Sequence, residues 1–220
     1  MGLIIGIEST AHTFSFGAVS SDGSQVLPSS SSLYRPEEGG IHPREAADHH
    51  VESAGELLRT AMMKWGADKG DIEAVAFSQG PGLGPCLRVG GSVARSMSMA
   101  LDIPLIGVNH CVAHIEIGRR MTGCVDPILL YVSGGNTQVI ARASGRYRVL
   151  GETLDIGIGN MLDKFGRSIG IPFPGGPEIE RKASKFIQEN GSEHLLDLPY
   201  AVHGTDMAFS GILGAAIAHA

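Results

Sequence analysis

The period of apolar and polar positions changes several times along the chain, and each change marks an element. Residues 3–8 (LIIGIE) and 13–19 (TFSFGAV) predict two strands joined by a short polar turn. Ser21-Asp22-Gly23 is a hairpin signal leading to a third strand near 24–28, followed by a Ser-, Pro- and Gly-rich loop over 29–44. From Arg44 to Trp65 the apolar residues Ala47, Val51, Ala54, Leu58, Ala61, Met62 and Trp65 fall at three- and four-residue steps, which predicts an amphipathic helix. An apolar strand at 72–78, a Gly-rich loop, a helix over about 89–101, a short strand at 104–108 and a helix carrying HCVAH follow.

The order then begins again. PILLYVSGGNTQVIARASGRYRVLGE (127–152) repeats the plan of LIIGIESTAHTFSFGAVSSDGSQVLP (3–28): apolar strand, turn of small polar residues, β-rich strand, hairpin, third strand. Identity between the copies is slight, so it is the pattern that recurs. Two such units, each followed by helices, predict a duplicated α/β fold with subdomains at 1–124 and 125–220. A ligand cleft is expected between the halves, faced by Ser9-Thr10 from one and Ser133-Gly134-Gly135 from the other. The second half is shorter after its third strand and ends on the Ala-rich helical stretch FSGILGAAIAHA, so a C-terminally truncated chain is expected.

Composition sharpens this picture in three ways. The 31 glycines gather in short groups (39–40, 80–84, 90–91, 134–135, 157–159, 175–176) rather than in a linker, which suits backbone that approaches a ligand or makes tight turns. A net charge of −6 gives no general affinity for nucleic acid, so an RNA substrate needs a local basic patch or a basic partner. Cys86, Cys111 and Cys124 are odd in number and lack CxxC spacing, which argues against a disulfide framework and fits a reducing cytoplasm. MGLIIGIEST has no basic stretch typical of a signal peptide, and no apolar run approaches the ~20 residues of a membrane span.

His110 and His114 stand four residues apart on one helix face, the spacing of two ligands to one divalent metal; a coincidental pair is the alternative. The string is not HExxH: Cys111 stands where the glutamate would be, which removes a metalloprotease's general base. Tyr131-Val132-Ser133-Gly134-Gly135-Asn136-Thr137 reads as a strand end running into a turn, where backbone N–H groups make an anion pocket or simply a hairpin. GPGLGPCLRVG (80–90) is neither a Walker sequence nor a GxGxxG fingerprint. In Pro174-Gly175-Gly176-Pro177-Glu178-Ile179-Glu180, Pro177 is expected at the first position of a helix whose N-terminus faces a ligand. Glu180 suits a ribose hydroxyl, an adenine edge or solvent, and Asp163 suits a surface ion pair with Arg167.

GIESTAHTF (6–14), GGIHPREAADHH (39–50), QGPGLGPCLRVG (79–90), NHCVAH (109–114), YVSGGNT (131–137), GNMLDKFGR (159–167) and PGGPEIE (174–180) occur in order along nearly the whole chain. Together they closely resemble the TsaD/Gcp family, long labelled O-sialoglycoprotein endopeptidase. Tyr131 and Asn136 resemble its archaeal and eukaryotic branch, the catalytic subunit of the KEOPS complex. The resemblance implies an ASKHA (actin/Hsp70/sugar-kinase-like) fold. The implied activity is transfer of threonylcarbamoyl from threonylcarbamoyl-AMP to the adenosine beside the tRNA anticodon.

It further implies one divalent metal per chain, iron ahead of zinc, on His110, His114 and Tyr131, and an adenine nucleotide, threonylcarbamoyl-AMP or ATP. Tyr131, Val132, Ser133, Gly134, Gly135, Asp163, Gly176 and Glu180 match the family's nucleotide and substrate contacts; no catalytic acid or base is assigned. The implied partners are tRNA and KEOPS subunits, among them a small RIO-type protein kinase and a dimerising accessory subunit. A further Asn for the nucleotide and an Asp for the metal lie beyond residue 220 in the family pattern. FSGILGAA (209–216) also lacks the Lys or Thr that the family places after Ser-Gly-Leu. A non-catalytic nucleotide-binding scaffold and a small-molecule kinase are the competing functions for this fold, and the kinase lacks an evident catalytic Asp.

Overall fold

The computed structural model describes residues 2–36, 40–191 and 195–220, so Gly39 of the 39–50 string lies outside the described residues. The chain divides into two compact units, Met1–Ile117 and Gly118–Ala220.

Unit 1 is built on a five-stranded sheet in the order β3-β2-β1-β4-β5. Strands β1 (Leu3–Glu8) and β2 (Thr13–Ser20) pair antiparallel with Ile7 opposite Phe16 and Ile5 opposite Ala18. Their burial alternates strictly, as a half-buried pleat requires. Ile5, Ile7, Phe14 and Phe16 form one core with Val75 of β4 (Ile72–Gly80), Ala54 and Ala61 of α1 (Pro43–Trp65) and Ala94 of α2 (Gly84–Leu101). β4 runs parallel to β1, and β5 (Leu105–Asn109) parallel to β4, so both leave the sheet at the end where β1 stops. α3 (His110–Thr122) starts directly after β5 and straddles the division between the units.

Three sequence expectations are corrected in unit 1. β3 covers Val26–Leu33 rather than ending near residue 28, because Ser30 and Ser32 pair with Phe16 and Phe14 of β2. The polar composition of that run hid a strand whose hydrogen bonds are supplied by its neighbour. α2 begins at Gly84, five residues before the apolar pattern starts, with Pro85 preset for the first turn. Val51 is exposed rather than part of the core face; it lines a groove of about 660 Å³ between α1 and α2, with Leu58, Val89 and Met97.

Unit 2 repeats the three-stranded meander. β6 (Leu129–Val132), β7 (Thr137–Ala143) and β8 (Arg146–Glu152) are antiparallel in the order β6-β7-β8, the counterpart of β1-β2-β3. The duplicated α/β plan of the ASKHA resemblance is therefore present. Ser144 and Gly145, both at positive φ (52° and 75°), make the tight β7–β8 turn. α4 (Ile158–Ser168) and α5 (Gly175–Asn190) approach closely where a Cβ on Gly166 would lie 3.3 Å from the Gly175 Cα. α5 starts at Gly175, so Pro177 is its third residue and not its first; it remains in the first turn, where its missing N–H has no partner to lose. A two-stranded ribbon, β9 (Val202–His203) and β10 (Asp206–Met207), leads to α6 (Ser210–His219), whose first N–H groups are accepted by the Asp155 carboxylate at 2.8–2.9 Å.

Candidate functional site

In unit 1 the chemistry gathers where β1, β4 and β5 end. His110, the first residue of α3, and His114, one turn later, bring their Nε2 atoms to 3.3 Å. The ring planes cross at 85° with centroids 4.6 Å apart. Two imidazole nitrogens bound near-tetrahedrally to one ion, each at about 2.0–2.1 Å, stand about 3.3 Å apart. The pair therefore fits a divalent metal as two of its ligands. Among the described residues no group of three or more His, Cys, Asp or Glu side chains completes such a site.

Behind His110 stands a residue of the GIESTAHTF string to which the sequence assigned no role. Glu8, at the end of β1, places Oε2 3.2 Å from His110 Nδ1. The same oxygen accepts the Ser78 hydroxyl of β4, while Oε1 accepts both the N–H and the hydroxyl of Thr10. Burial pushes the Glu8 carboxyl up, but the hydrogen bonds from His110, Ser78 and Thr10 outweigh it and hold the group at about 2. With Nδ1–H donated to Glu8, His110 Nε2 carries a lone pair and accepts from His114. Burial, then the neighbouring His110, lowers the pKa of His114 and favours the neutral ring that a metal needs. The sequence showed Glu8 only as an acid ending an apolar strand within the GIESTAHTF string, without a role, and its partner lies 102 residues away.

The Ser9-Thr10 turn is packed shut. Ser9 and Thr10 are 1% and 5% exposed. A Cβ on Gly82 would meet Thr10 O at 2.6 Å, and one on Gly90 would meet Ser9 Oγ at 2.0 Å. Leu83 N–H donates to Thr10 O at 2.7 Å. The Gly-rich 80–84 segment thus clamps the β1–β2 turn.

In unit 2 the β6–β7 turn is the corresponding feature. Tyr131 is buried on β6, and Val132 after it is exposed. Ser133 N–H donates to Asn136 O (2.8 Å), and the Ser133 hydroxyl both accepts Asn136 N–H (2.9 Å) and donates to Asn136 O (3.0 Å). The Ser133 side chain is therefore spent on closing the turn. Gly134 and Gly135 are exposed, no atom lies within 4 Å of a Cβ built on either, and among the described residues their N–H groups donate to no protein acceptor. Two such outward N–H groups in a small-residue turn can bind a phosphate. The N-terminus of α4 backs this turn, with Gly159 and Asn160 N–H donating to Ser133 O (3.2 Å) and Gly134 O (3.3 Å).

Asp163 does not pair with Arg167 among the described residues; its Oδ1 accepts Gly175 N–H at 2.8 Å, joining α4 to the start of α5. Gly176 is half-buried in that first turn, and Glu180, one turn on, is exposed. On the same helix Glu178 is held by Arg181 through two bonds of 2.6 and 2.8 Å.

Residues 25–220 match the TsaD family, described as tRNA N6-adenosine threonylcarbamoyltransferase. The chain belongs to the TsaD family. A probable bifunctional tRNA threonylcarbamoyladenosine biosynthesis protein of Thermoplasma acidophilum is 57% identical over 98% of this chain and 39% of its own length. A tRNA N6-adenosine threonylcarbamoyltransferase of Methanopyrus kandleri is 53% identical over 98% of this chain and 62% of its own length. The chain thus spans between about two fifths and three fifths of these relatives. Among solved structures, the ethanolamine utilization protein EutJ of Carboxydothermus hydrogenoformans is similar at 15% identity and TM-score 0.49, covering 98% of this chain and 80% of that one. That likeness has no bearing on function. Among the described residues no helix is long and apolar enough to cross a membrane.

Proposed function

We propose that this TsaD-family chain serves as a metal-dependent tRNA N6-adenosine threonylcarbamoyltransferase in the cytoplasm. The observation that carries the proposal is the convergence of His110 and His114 Nε2 at 3.3 Å, with a carboxylate fixed behind one ring, in a chain of this family. Cys111 between the histidines leaves a protease reading without its general base.

In the proposed reaction the adenosine N6 attacks the carbamoyl carbon of threonylcarbamoyl-AMP. A C–N bond forms, the bond from that carbon to the phosphate oxygen breaks, AMP leaves, and one proton departs from N6. The donor is already activated, so the protein's task is to position it and to stabilise developing charge. The exposed Gly134 and Gly135 N–H groups suit the AMP phosphate, flanked by Tyr131, Val132 and Ser133. The first turn of α5, with Gly176 and Glu180 and tied to Asp163, suits the nucleoside end of the donor. His110 and His114 would hold one divalent ion, iron ahead of zinc, which supplies Lewis-acid stabilisation of negative charge. Tyr131 is a ligand candidate on the family resemblance alone. A small RIO-type kinase and a dimerising subunit of a KEOPS complex are the proposed companions, consistent with a net charge of −6 that by itself repels tRNA.

The test is incubation of the protein with tRNA, threonine, bicarbonate, ATP, the adenylate-forming enzyme and KEOPS subunits, followed by mass spectrometry of the nucleosides. Threonylcarbamoyladenosine is expected only with the companions present. About one metal ion per chain should be lost in His110→Ala/His114→Ala. Unchanged metal content in that double variant overturns the site.

A further inference from the structure

We propose that Glu8 is a positioning residue for the metal centre: through His110 Nδ1 it fixes the tautomer and rotation of that ring, so that Nε2 offers its lone pair beside His114. The inference rests on the metal reading of the histidine pair and adds to it a residue given no part in the site by the sequence.

Glu8 sits at the end of β1, and three other pieces of unit 1 donate to it: Thr10 from the β1–β2 turn, Ser78 from β4 and His110 from α3. Each oxygen accepts two donors, so neither rotation of the carboxylate nor exchange of its oxygens is free. Thr10 is itself pressed by Gly82, and Leu83 N–H is bonded to its carbonyl at 2.7 Å. The clamp on the turn is therefore also a clamp on Glu8.

Next comes what the carboxylate imposes on the ring. An ionised carboxylate only accepts, so the nitrogen facing it must carry the proton. In a neutral imidazole the other nitrogen is then the lone-pair site. That nitrogen, Nε2, is the one aimed at His114. His110 is 16% exposed in its side chain and Glu8 33%, so water competes only weakly for the contact. A carboxylate on the far nitrogen of a ligating histidine fixes ring orientation and raises ligand basicity, and its loss typically costs 10–100-fold in metal affinity. A role confined to the turn would need only Thr10 and Ser78; the bond to His110 ties Glu8 to the functional pair.

Glu8→Gln is the informative substitution. It keeps the shape, yet one arm becomes a donor. Facing His110, that amide favours the tautomer with Nε2 protonated, which cannot ligate. Long-range ¹H–¹⁵N spectra of the metal-free protein read the tautomer directly: Nδ1–H for His110 in the unaltered protein and Nε2–H in Glu8→Gln. Titration with Co²⁺ alone, followed by its visible absorption, should show affinity about 10–100-fold weaker and an altered band shape. Ser78→Ala, which also removes a hydrogen bond from Glu8 but leaves His110 its acceptor, should shift affinity by no more than a few-fold. Should Glu8→Gln not fold, Glu8→Asp keeps the charge while withdrawing it from His110, and the same weakening is required.

Unchanged Co²⁺ affinity with an unchanged His110 tautomer overturns the inference, as does a loss in Ser78→Ala as large as in Glu8→Gln. The two readings separate cleanly. Co²⁺ binding retained in His110→Ala/His114→Ala sinks the metal site itself, whereas binding lost there but retained in Glu8→Gln sinks only the role of Glu8.

Discussion

The turn after β1 and the turn after β6 hold the same place in the duplicated plan, and they are built for opposite ends. Ser9 and Thr10 are buried: Gly90 lies against the Ser9 side chain, Gly82 against Thr10, and Thr10 is bonded to Leu83 N–H and to the Glu8 carboxylate. Gly134 and Gly135 stand open, with free space where a side chain would be, while the closing hydrogen bonds are made underneath them by Ser133 and Asn136. Glycine is used in both, but on different sides of the contact. In unit 1 the glycines lie outside the turn, so that other backbone can press on it. In unit 2 they form its outer rim, so that something else can approach. A closed turn can only orient what is attached to it; an open one leaves N–H groups for a ligand. A closed region around Glu8 and His110 thus contrasts with an open one around Gly134 and Gly135.

The largest expected effect breaks the closed turn. Gly82→Ala puts a methyl within 2.6–2.9 Å of Thr10 backbone and Cβ, so the turn must shift, and a loss of about 2–3 kcal/mol is expected in denaturant unfolding. Gly135→Ala meets nothing within 4 Å and should stay within about 0.5 kcal/mol. Equal effects would erase the distinction between the turns.

Acid should act next, in unit 1 through the Glu8 carboxylate. Glu8 is held at about 2 against an ordinary value of 4.5, so folding favours its ionised form. Its contribution is fully present above about pH 4.5 and is lost as pH falls toward about 2, on the order of 1–2 kcal/mol after allowance for its partial exposure. Unfolding measured across that range should show the decline, and Glu8→Gln should make it shallower, the remainder coming from other carboxylates held low, such as Asp22 and Asp155. A smaller loss is expected at the open turn: Ser133→Ala removes the hydroxyl that closes it, with an expected cost of about 1 kcal/mol and weaker AMP binding by calorimetry. Full AMP affinity in that variant would separate turn closure from ligand capture.

Much of the framework was legible in the residue pattern. Strict alternation over β1 and β2 and the three- and four-residue steps of α1 follow from period alone, because one face of each element is buried. The recurrence of that pattern after residue 127 announced the second meander. The i, i+4 spacing of His110 and His114 by itself places both on one helix face. β3 was legible only in part, since its serines are strand by virtue of pairing with Phe14 and Phe16. Asp163 was misjudged for a similar reason: Arg167 is near in sequence, but the N–H of Gly175 is what α4 and α5 bring to it.

The sequence by itself determined which elements form, that they form twice, and which side chains are chemically able to bind a metal or a phosphate. Only the tertiary structure decided that Glu8 stands behind His110, that the first turn is shut and that the second is open. Local pattern is a property of neighbours in the chain, a few residues apart. Orientation of an imidazole, or burial of a turn, depends on atoms 70 to 102 residues distant, and only packing brings those together.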